Sequence, residues 1–217
     1  MKIEATYIDH MGSDLTVANA ARVSFGKKSE MEDDPWGPPK LKAKDDKLIR
    51  YLAAHKHISP FGHCFASFHI KAPIFVARQL VKHKFLRWNE ISRRYTTENI
   101  EFYVPDVWRG QSKDKKQGSE GEIQNIHIQT SQQIPLTLYE GLLDKGVCEE
   151  QARMVLPQNT MTEWYWSGSL DAFADMCKLR CASDTQYETR LVADNISKTM
   201  SELFPVSWDA LTENGDD

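Results

Sequence analysis

From Cys64 to Lys71 the chain alternates. Phe65, Ser67, His69 and Lys71 fall on one face, and Ala66, Phe68, Ile70 and Ala72 on the other. That period of two is the period of a strand. Residues 1–8 alternate more weakly and suit a first strand. Between them the period lengthens. Ser13 can cap a helix running to about Ser24, with Leu15, Val17, Ala18, Ala21 and Val23 inward. A second helix over 45–55 turns Leu48, Ile49 and Leu52 inward. After the alternating strand, Pro73 suits the first turn of a helix, where its missing N–H costs nothing.

The second half is mainly helical in pattern. Phe102-Tyr103-Val104 reads as a short strand stopped by Pro105. Residues 122–145 read as a long helix bent near Pro135, with Leu138, Leu142 and Leu143 inward and Gly146 as its stop. A shorter helix runs from about Glu149 to Leu156, and Thr160 to Ser167 suggests a strand carrying Trp164, Tyr165 and Trp166. Ser169 caps a helix to about Arg180 that buries Leu170, Phe173, Met176 and Cys177. A helix over 184–203 and a short one around Trp208 complete the pattern, and the acidic last residues are expected to fray. Two stretches, 26–44 and 106–121, are polar and rich in turn formers, and are expected as loops. The first is long enough to serve as a lid. In the second, Lys113, Lys115 and Lys116 are expected to be solvated.

Composition narrows the picture. At 217 residues the chain is expected to be one domain over 1–217, with no internal repeat. The net charge of −4 argues against a general nucleic-acid binder. The four cysteines, Cys64, Cys148, Cys177 and Cys181, form no CxxC pair and read as thiols of a reducing compartment, although Cys177 and Cys181 could be half a metal site. No secretory pattern and no long apolar run is evident, so a cytoplasmic protein without a membrane span is expected. Three histidines in 55–63 invite a metal, but their spacing fits no common zinc signature, and no metal is expected.

Against this acidic background, residues 82–95 stand out. Lys82, Lys84, Arg87, Arg93 and Arg94 are joined by His83, Asn89, Glu90 and Ser92. That mixture suits an anionic, hydrogen-bonding ligand better than a core. If the helix from Pro73 continues, Arg78 and Lys82 share one face and Gln79 and His83 the next.

These residues carry a resemblance. Flavin-dependent thymidylate synthases have the motif Arg-His-Arg, two variable residues, Ser, one variable, Asn-Glu, one variable, Ser, one variable, Arg, and usually Tyr. The chain is similar to it at His83, Asn89, Glu90, Ser92, Arg94 and Tyr95, with Lys at 82 and 84 for Arg and Arg87 for Ser. Lysine keeps the charge of arginine but not its planar fork. Further likenesses follow in order. Ala20 to Phe25 and His55 to His63 resemble segments near the flavin, with Gly62 where Glu is frequent. Gln151 to Pro157 resembles a phosphate-binding signature. Leu179-Arg180 with Gln186, Glu188 and Arg190 resembles a base-binding one.

The resemblance implies an α+β fold, with a small mostly antiparallel sheet beside a helical layer, assembled as a homotetramer with shared active sites. It implies FAD, NADPH as reductant, methylenetetrahydrofolate as carbon donor, and conversion of dUMP to dTMP. It places His57, Ser59, Lys82, His83, Lys84, Phe85, Asn89, Glu90 and Gln186 along the flavin. The nucleotide falls to Arg78, Gln79, Lys82, Glu90, Ile91, Ser92, Arg93, Arg94 and Arg180, with Arg153 reaching its phosphate from a neighbouring subunit. Arg180 would stabilise negative charge developing on the pyrimidine ring. No cysteine sits in a recognisable activated setting, and Arg22 could equally form a surface ion pair. A related enzyme acting on dCMP, a non-catalytic flavin or nucleotide binder, and an RNA- or DNA-binding protein are the other readings.

Overall fold

A computed structural model describes residues 2–113, 118–124, 126 and 133–213. Four strands form one antiparallel sheet in the order β1-β2-β6-β3: β1 Glu4–Met11, β2 Phe65–Pro73, β6 Met161–Ser169 and β3 Leu86–Glu90. The alternation along β2 sets its two faces. Ala66, Phe68, Ile70 and Ala72 are buried, and β6 matches them with Trp164 and Trp166. In register, Phe68 faces Trp166, which faces Trp88, while Ile70 faces Trp164, which faces Glu90. Trp88 stacks on Trp164 with ring centroids 4.2 Å apart. The opposite face carries short polar ties such as Ser67 to Ser167 at 2.8 Å and His69 to Glu163 at 3.0 Å.

Helices cover the apolar face. They are α3 Ile74–Leu80, α6 Leu170–Arg180 and α7 Tyr187–Leu203, with α1 Asp14–Arg22, α2 Ala43–Ala54 and α8 Pro205–Thr212 packed around them. Their buried residues join those of the sheet in one core that includes Phe173, Met176, Ile196 and Trp208. The α+β expectation therefore holds.

Several boundaries differ from the sequence pattern, each for a tertiary reason. The helix after Pro73 ends at Leu80, so Lys82 and His83 lie in a turn and not one helical step beyond Arg78 and Gln79. The chain must leave α3 early because β3 begins at Leu86, where pairing with Gly168 brings Trp88 onto Trp166. The polar stretch 106–121 is not wholly irregular. Trp108–Gln111 (β4) pairs with Ser119–Ile123 (β5) as a hairpin, backed by Arg109 over the Tyr187 ring and by Gly118 against the Asp184 carbonyl. The long helix over 122–145 is shortened to α4, Gln133–Asp144, because Ile123 belongs to β5. Its residues 125 and 127–132 lie outside the described residues, as do Lys115, Lys116 and the acidic 214–217. Tyr139 is the buried residue of α4, and Leu138 is exposed. Glu149 starts one short helix, α5 Glu149–Ala152, followed by a single 3-10 turn. Phe102 makes only an isolated bridge to Thr160, and Val23 is exposed, outside the core.

Candidate active site

The charged segment is displayed by a tight connection between α3 and β3. Val81 N–H donates to the Ala77 carbonyl at 2.9 Å, closing the helix, and His83 N–H donates to the Leu80 carbonyl at 3.1 Å. Phe85 then takes φ 64°, a left-handed conformation unusual for a bulky side chain. Its ring is 83% exposed, so no core contact accounts for it. Such backbone conformations cluster at ligand sites. Gly168 makes the connection possible, since a Cβ there would collide with the Leu86 side chain and lie 3.1 Å from the Phe85 carbonyl.

At the other end of β3, Glu90 is held through both oxygens. Thr162 Oγ1 donates to one at 2.6 Å and the Trp88 indole N–H to the other at 3.0 Å. These bonds fix the carboxylate at the rim of the aromatic row. Beyond it, a hollow of about 460 Å³ is lined by Glu90, Ile91, Ser92, Arg93, Arg94 and Arg153. Arg94 Nε donates to Ser92 Oγ at 3.3 Å, which places a guanidinium and a hydroxyl side by side. Arg93 has a different duty. It donates to the Glu98 carbonyl at 2.9 Å and so pins the following loop. Two guanidinia, from Arg94 and Arg153, line this hollow together with the Ser92 hydroxyl, and their N–H and O–H donors suit a phosphate.

A second, larger cavity of about 940 Å³ opens between α3, α7 and the β4–β5 hairpin. Its polar wall is a connected network. Gln79 Nε2 donates to Gln186 Oε1, Thr189 Oγ1 donates to Gln79 Oε1 at 3.2 Å, and Gln186 Nε2 donates to Glu188 at 3.3 Å. Arg180, the last residue of α6, reaches this cavity while its Nε donates to His83 Nε2 at 3.0 Å. Burial, together with the Arg180 charge, holds the His83 imidazole below its ordinary pKa. The apolar wall includes Phe75, Tyr103, Trp108 and Tyr187. Burial pushes the Tyr103 phenol up to about 12, with Glu188 adding to the effect, so it remains a hydrogen-bond donor at any ordinary pH. Flat aromatic surfaces beside amide and guanidinium donors suit a planar heterocycle, and the volume admits one of considerable size.

The structure thus brings Gln79, Arg180 and Gln186 together in one cavity, and Glu90, Ile91, Ser92, Arg93, Arg94 and Arg153 in the other. Arg78, Lys82, Lys84 and Asn89 are exposed, and neither cavity is lined by them. His57 and Ser59 are exposed on the connection after α2, where His57 stands edge-on to Tyr51, and they join neither cavity. Arg22 is not a surface ion pair. It donates to the fully buried Asp45, which also accepts from Ser29 at 2.5 Å. Burial pushes the Cys64 thiol up to about 11 and that of Cys177 well above its ordinary value, so neither is an activated nucleophile. Among the described residues no cluster of three or more His, Cys, Asp and Glu could hold a metal ion. Among the described residues no helix is long and apolar enough to cross a membrane. Sequence reasoning missed Tyr103, Trp108, Arg109 and Tyr187. Aromatic density hinted only at Tyr103, Trp108 and Tyr187, because the hairpin that carries Trp108 and Arg109 has no apolar alternation.

Fold and site together define an α+β protein with two separate hollows, one lined by guanidinium groups and a hydroxyl and the other walled by aromatic rings. Residues 6–206 match the family described as thymidylate synthase complementing protein, and the chain belongs to it. It is 41% identical to the flavin-dependent thymidylate synthase of Thermus thermophilus, over 95% of this chain and 74% of that protein. With that of Treponema denticola it shares 39% identity over 96% of this chain and 79% of the other. A similar solved structure is the UMP/dUMP methylase PolB from Streptomyces cacaoi bound with 5-Br dUMP, with TM-score 0.83 and 31% identity, covering 97% of this chain and 95% of that one.

Proposed function

We propose that this protein methylates the C5 position of dUMP to give dTMP, with FAD as redox cofactor, NADPH as reductant and methylenetetrahydrofolate as carbon donor. The observation that carries the reading is the meeting of Arg180, Gln79 and Gln186 in the aromatic-walled cavity. C5 of a uracil attacks a one-carbon electrophile as an enolate-like carbon, with negative charge held on the ring carbonyl until the new bond forms. The guanidinium of Arg180, fixed at one end by His83, offers preformed donors to that charge. The Gln79 amide, oriented by Gln186 and Thr189, is placed to read a base edge. Ser92, Arg94 and Arg153 supply the donors for the 5′-phosphate, and Glu90, locked by Thr162 and Trp88, supplies a fixed acceptor for a sugar hydroxyl or a ring N–H. When bound, the flavin supplies the reducing equivalents, which explains why no cysteine here need be activated. Lys82, His83, Lys84 and Phe85 on the exposed turn, with His57, Ser59, Asn89, Glu90 and Gln186, are the residues that would hold it. Two ammonium groups on a turn beyond a helix end suit a pyrophosphate.

A homotetramer with shared sites accompanies this reading. The base-reading and phosphate-reading residues line two separate hollows of one chain. Phe85, Tyr95, Met154 and Leu179, the chain neighbours of Lys84, Arg94, Arg153 and Arg180, are large apolar side chains left exposed. Neighbouring copies would cover them and join a hollow of one chain to that of another. In this arrangement Ser92, Arg94 and Arg153 of one subunit together serve the phosphate of a nucleotide whose base lies in the cavity of a second subunit.

Mass spectrometry of product tests the function. The protein is given FAD, NADPH and methylenetetrahydrofolate with dUMP or with dCMP. A gain of one methyl group on dUMP is expected. Methylation of dCMP alone, or no product with flavin still bound, would overturn it. Arg180→Ala is expected to slow turnover by about 10²–10³-fold in a folded protein, the loss typical for one preorganised donor.

A further inference from the structure

Arginine has only donors. Its guanidinium carries five N–H groups and no lone pair free to accept. A hydrogen bond between Arg180 Nε and a histidine nitrogen therefore fixes the state of that histidine. His83 Nε2, 3.0 Å away, must present its lone pair. The ring is then neutral, and its one proton sits on Nδ1.

We propose that Arg180 is a positioning residue as well as a base contact. It locks His83 as the neutral Nδ1–H tautomer, so that His83 offers the heterocycle bound beside it a hydrogen-bond donor and not a charge. This rests on the flavin and pyrimidine reading of the same site. Three further observations support the lock. The His83 backbone is tied down, since its N–H donates to the Leu80 carbonyl. No described group is hydrogen-bonded to Nδ1, which leaves that proton for a ligand. The charges that bear on the ring from the packed helix α6 are Arg180 and Asp175; within its own turn, Lys82 and Lys84 flank it. Burial, and after it the Arg180 charge, disfavours the imidazolium against the opposing pull of Asp175.

The arrangement has a chemical use. A cationic histidine next to an electron-rich reduced ring would attract a hydride or electron pair toward itself and would repel the cations of the turn. A neutral donor orients without doing either. It also joins the two ligand regions, since one side chain contacts the cavity and sets the hydrogen-bonding polarity of the histidine in the neighbouring turn.

The test is direct observation of the ring. Histidine labelled with ¹⁵N and ¹³C in otherwise deuterated full-length protein is followed across pH, with the His83 signal assigned by its loss in His83→Asn. In the wild type, His83 is expected as the Nδ1–H tautomer, protonating at lower pH than an unperturbed imidazole. In Arg180→Gln its titration is expected to move to higher pH and the Nε2–H tautomer to appear. Arg180→Lys is the second variant if the glutamine protein is misassembled. Its charge is retained, so the titration stays low, but a single ammonium no longer holds Nε2 in place and mixed tautomers appear. A dominant Nε2–H form in the wild type, or the same tautomer and midpoint in wild type and variants, would overturn the proposal. Flavin binding, read by absorbance in the same samples, reports separately on the underlying reading: absence of binding would sink that reading while leaving the tautomer result to decide the lock.

Discussion

Asp45 offers a sharp test of how the segment 26–44 is held. It lies in the first turn of α2 and is fully buried. Arg22 Nε donates to one oxygen at 2.7 Å and Ser29 Oγ to the other at 2.5 Å, while the Ser29 backbone N–H donates to Asn19 Oδ1 at 2.7 Å. The base of the long loop is thereby fastened to α1 and α2. Removing one member of a buried ion pair typically costs about 3–5 kcal/mol, because the other is left without compensation. The two deletions should not be equal. Arg22 retains 19% side-chain exposure and can turn its guanidinium toward water when Asp45→Ala removes its partner, so the cost falls near 3 kcal/mol, the low end of that range. Asp45 has no such escape, and Arg22→Ala should cost more, about 4–5 kcal/mol. The double variant should be less damaged than the sum by about 2 kcal/mol, a coupling expected of contacting residues. Urea unfolding followed by tryptophan fluorescence measures all four proteins, at one protein concentration because assembly contributes to stability. Both single variants within about 1 kcal/mol of wild type would refute the argument, since that is what an exposed pair contributes. Asp45→Ala should also make the loop around Ser29 cleavable by protease under native conditions.

Gly168→Ala should destabilise the protein by about 1–3 kcal/mol through overpacking, and weaken ligand binding beyond that, because the new methyl presses on Leu86 and on the Phe85 carbonyl; unchanged binding with normal stability would contradict the role given to that close approach. Tyr103 holds its proton to about 12 against 10 for an unperturbed phenol. The folded state therefore binds more protons between those values, and the contribution of Tyr103 to stability is complete below pH 10 and is lost as pH rises toward 12; a phenol absent from the alkaline difference spectrum in Tyr103→Phe but ionising near 10 in wild type would show the opposite. His83 has the reverse sign. Its folded-state pKa lies below the ordinary 6.5, so the unfolded state takes up the proton first. Its contribution is full above that value and falls as pH drops through it, and the acid-induced loss of stability should be shallower in His83→Asn; identical slopes would refute the assignment.

Periodicity alone marked β2, the tryptophan strand β6, and the helices α1, α2, α6 and α7, because each places one face against a common core and the pattern of that face is local. The run from Lys82 to Tyr95 pointed to a candidate ligand site, because cations crowded among hydrogen-bonding groups suit an anionic ligand. What tertiary structure alone decided is how those residues are divided. The helix that would have continued to Lys82 stops at Leu80 because Trp88 must reach Trp164 and Trp166, and no local propensity records that demand. The hairpin at Trp108–Ile123 is polar and forms against Tyr187 and Asp184, residues far along the chain. Arg22 could pass for a surface charge until the burial of Asp45, 23 residues away, was known. The pairing of Arg180 with His83 spans 97 residues and was equally invisible. A sequence lists which donors and acceptors exist, but which of them are consumed by one another depends on distances that only the packed fold sets.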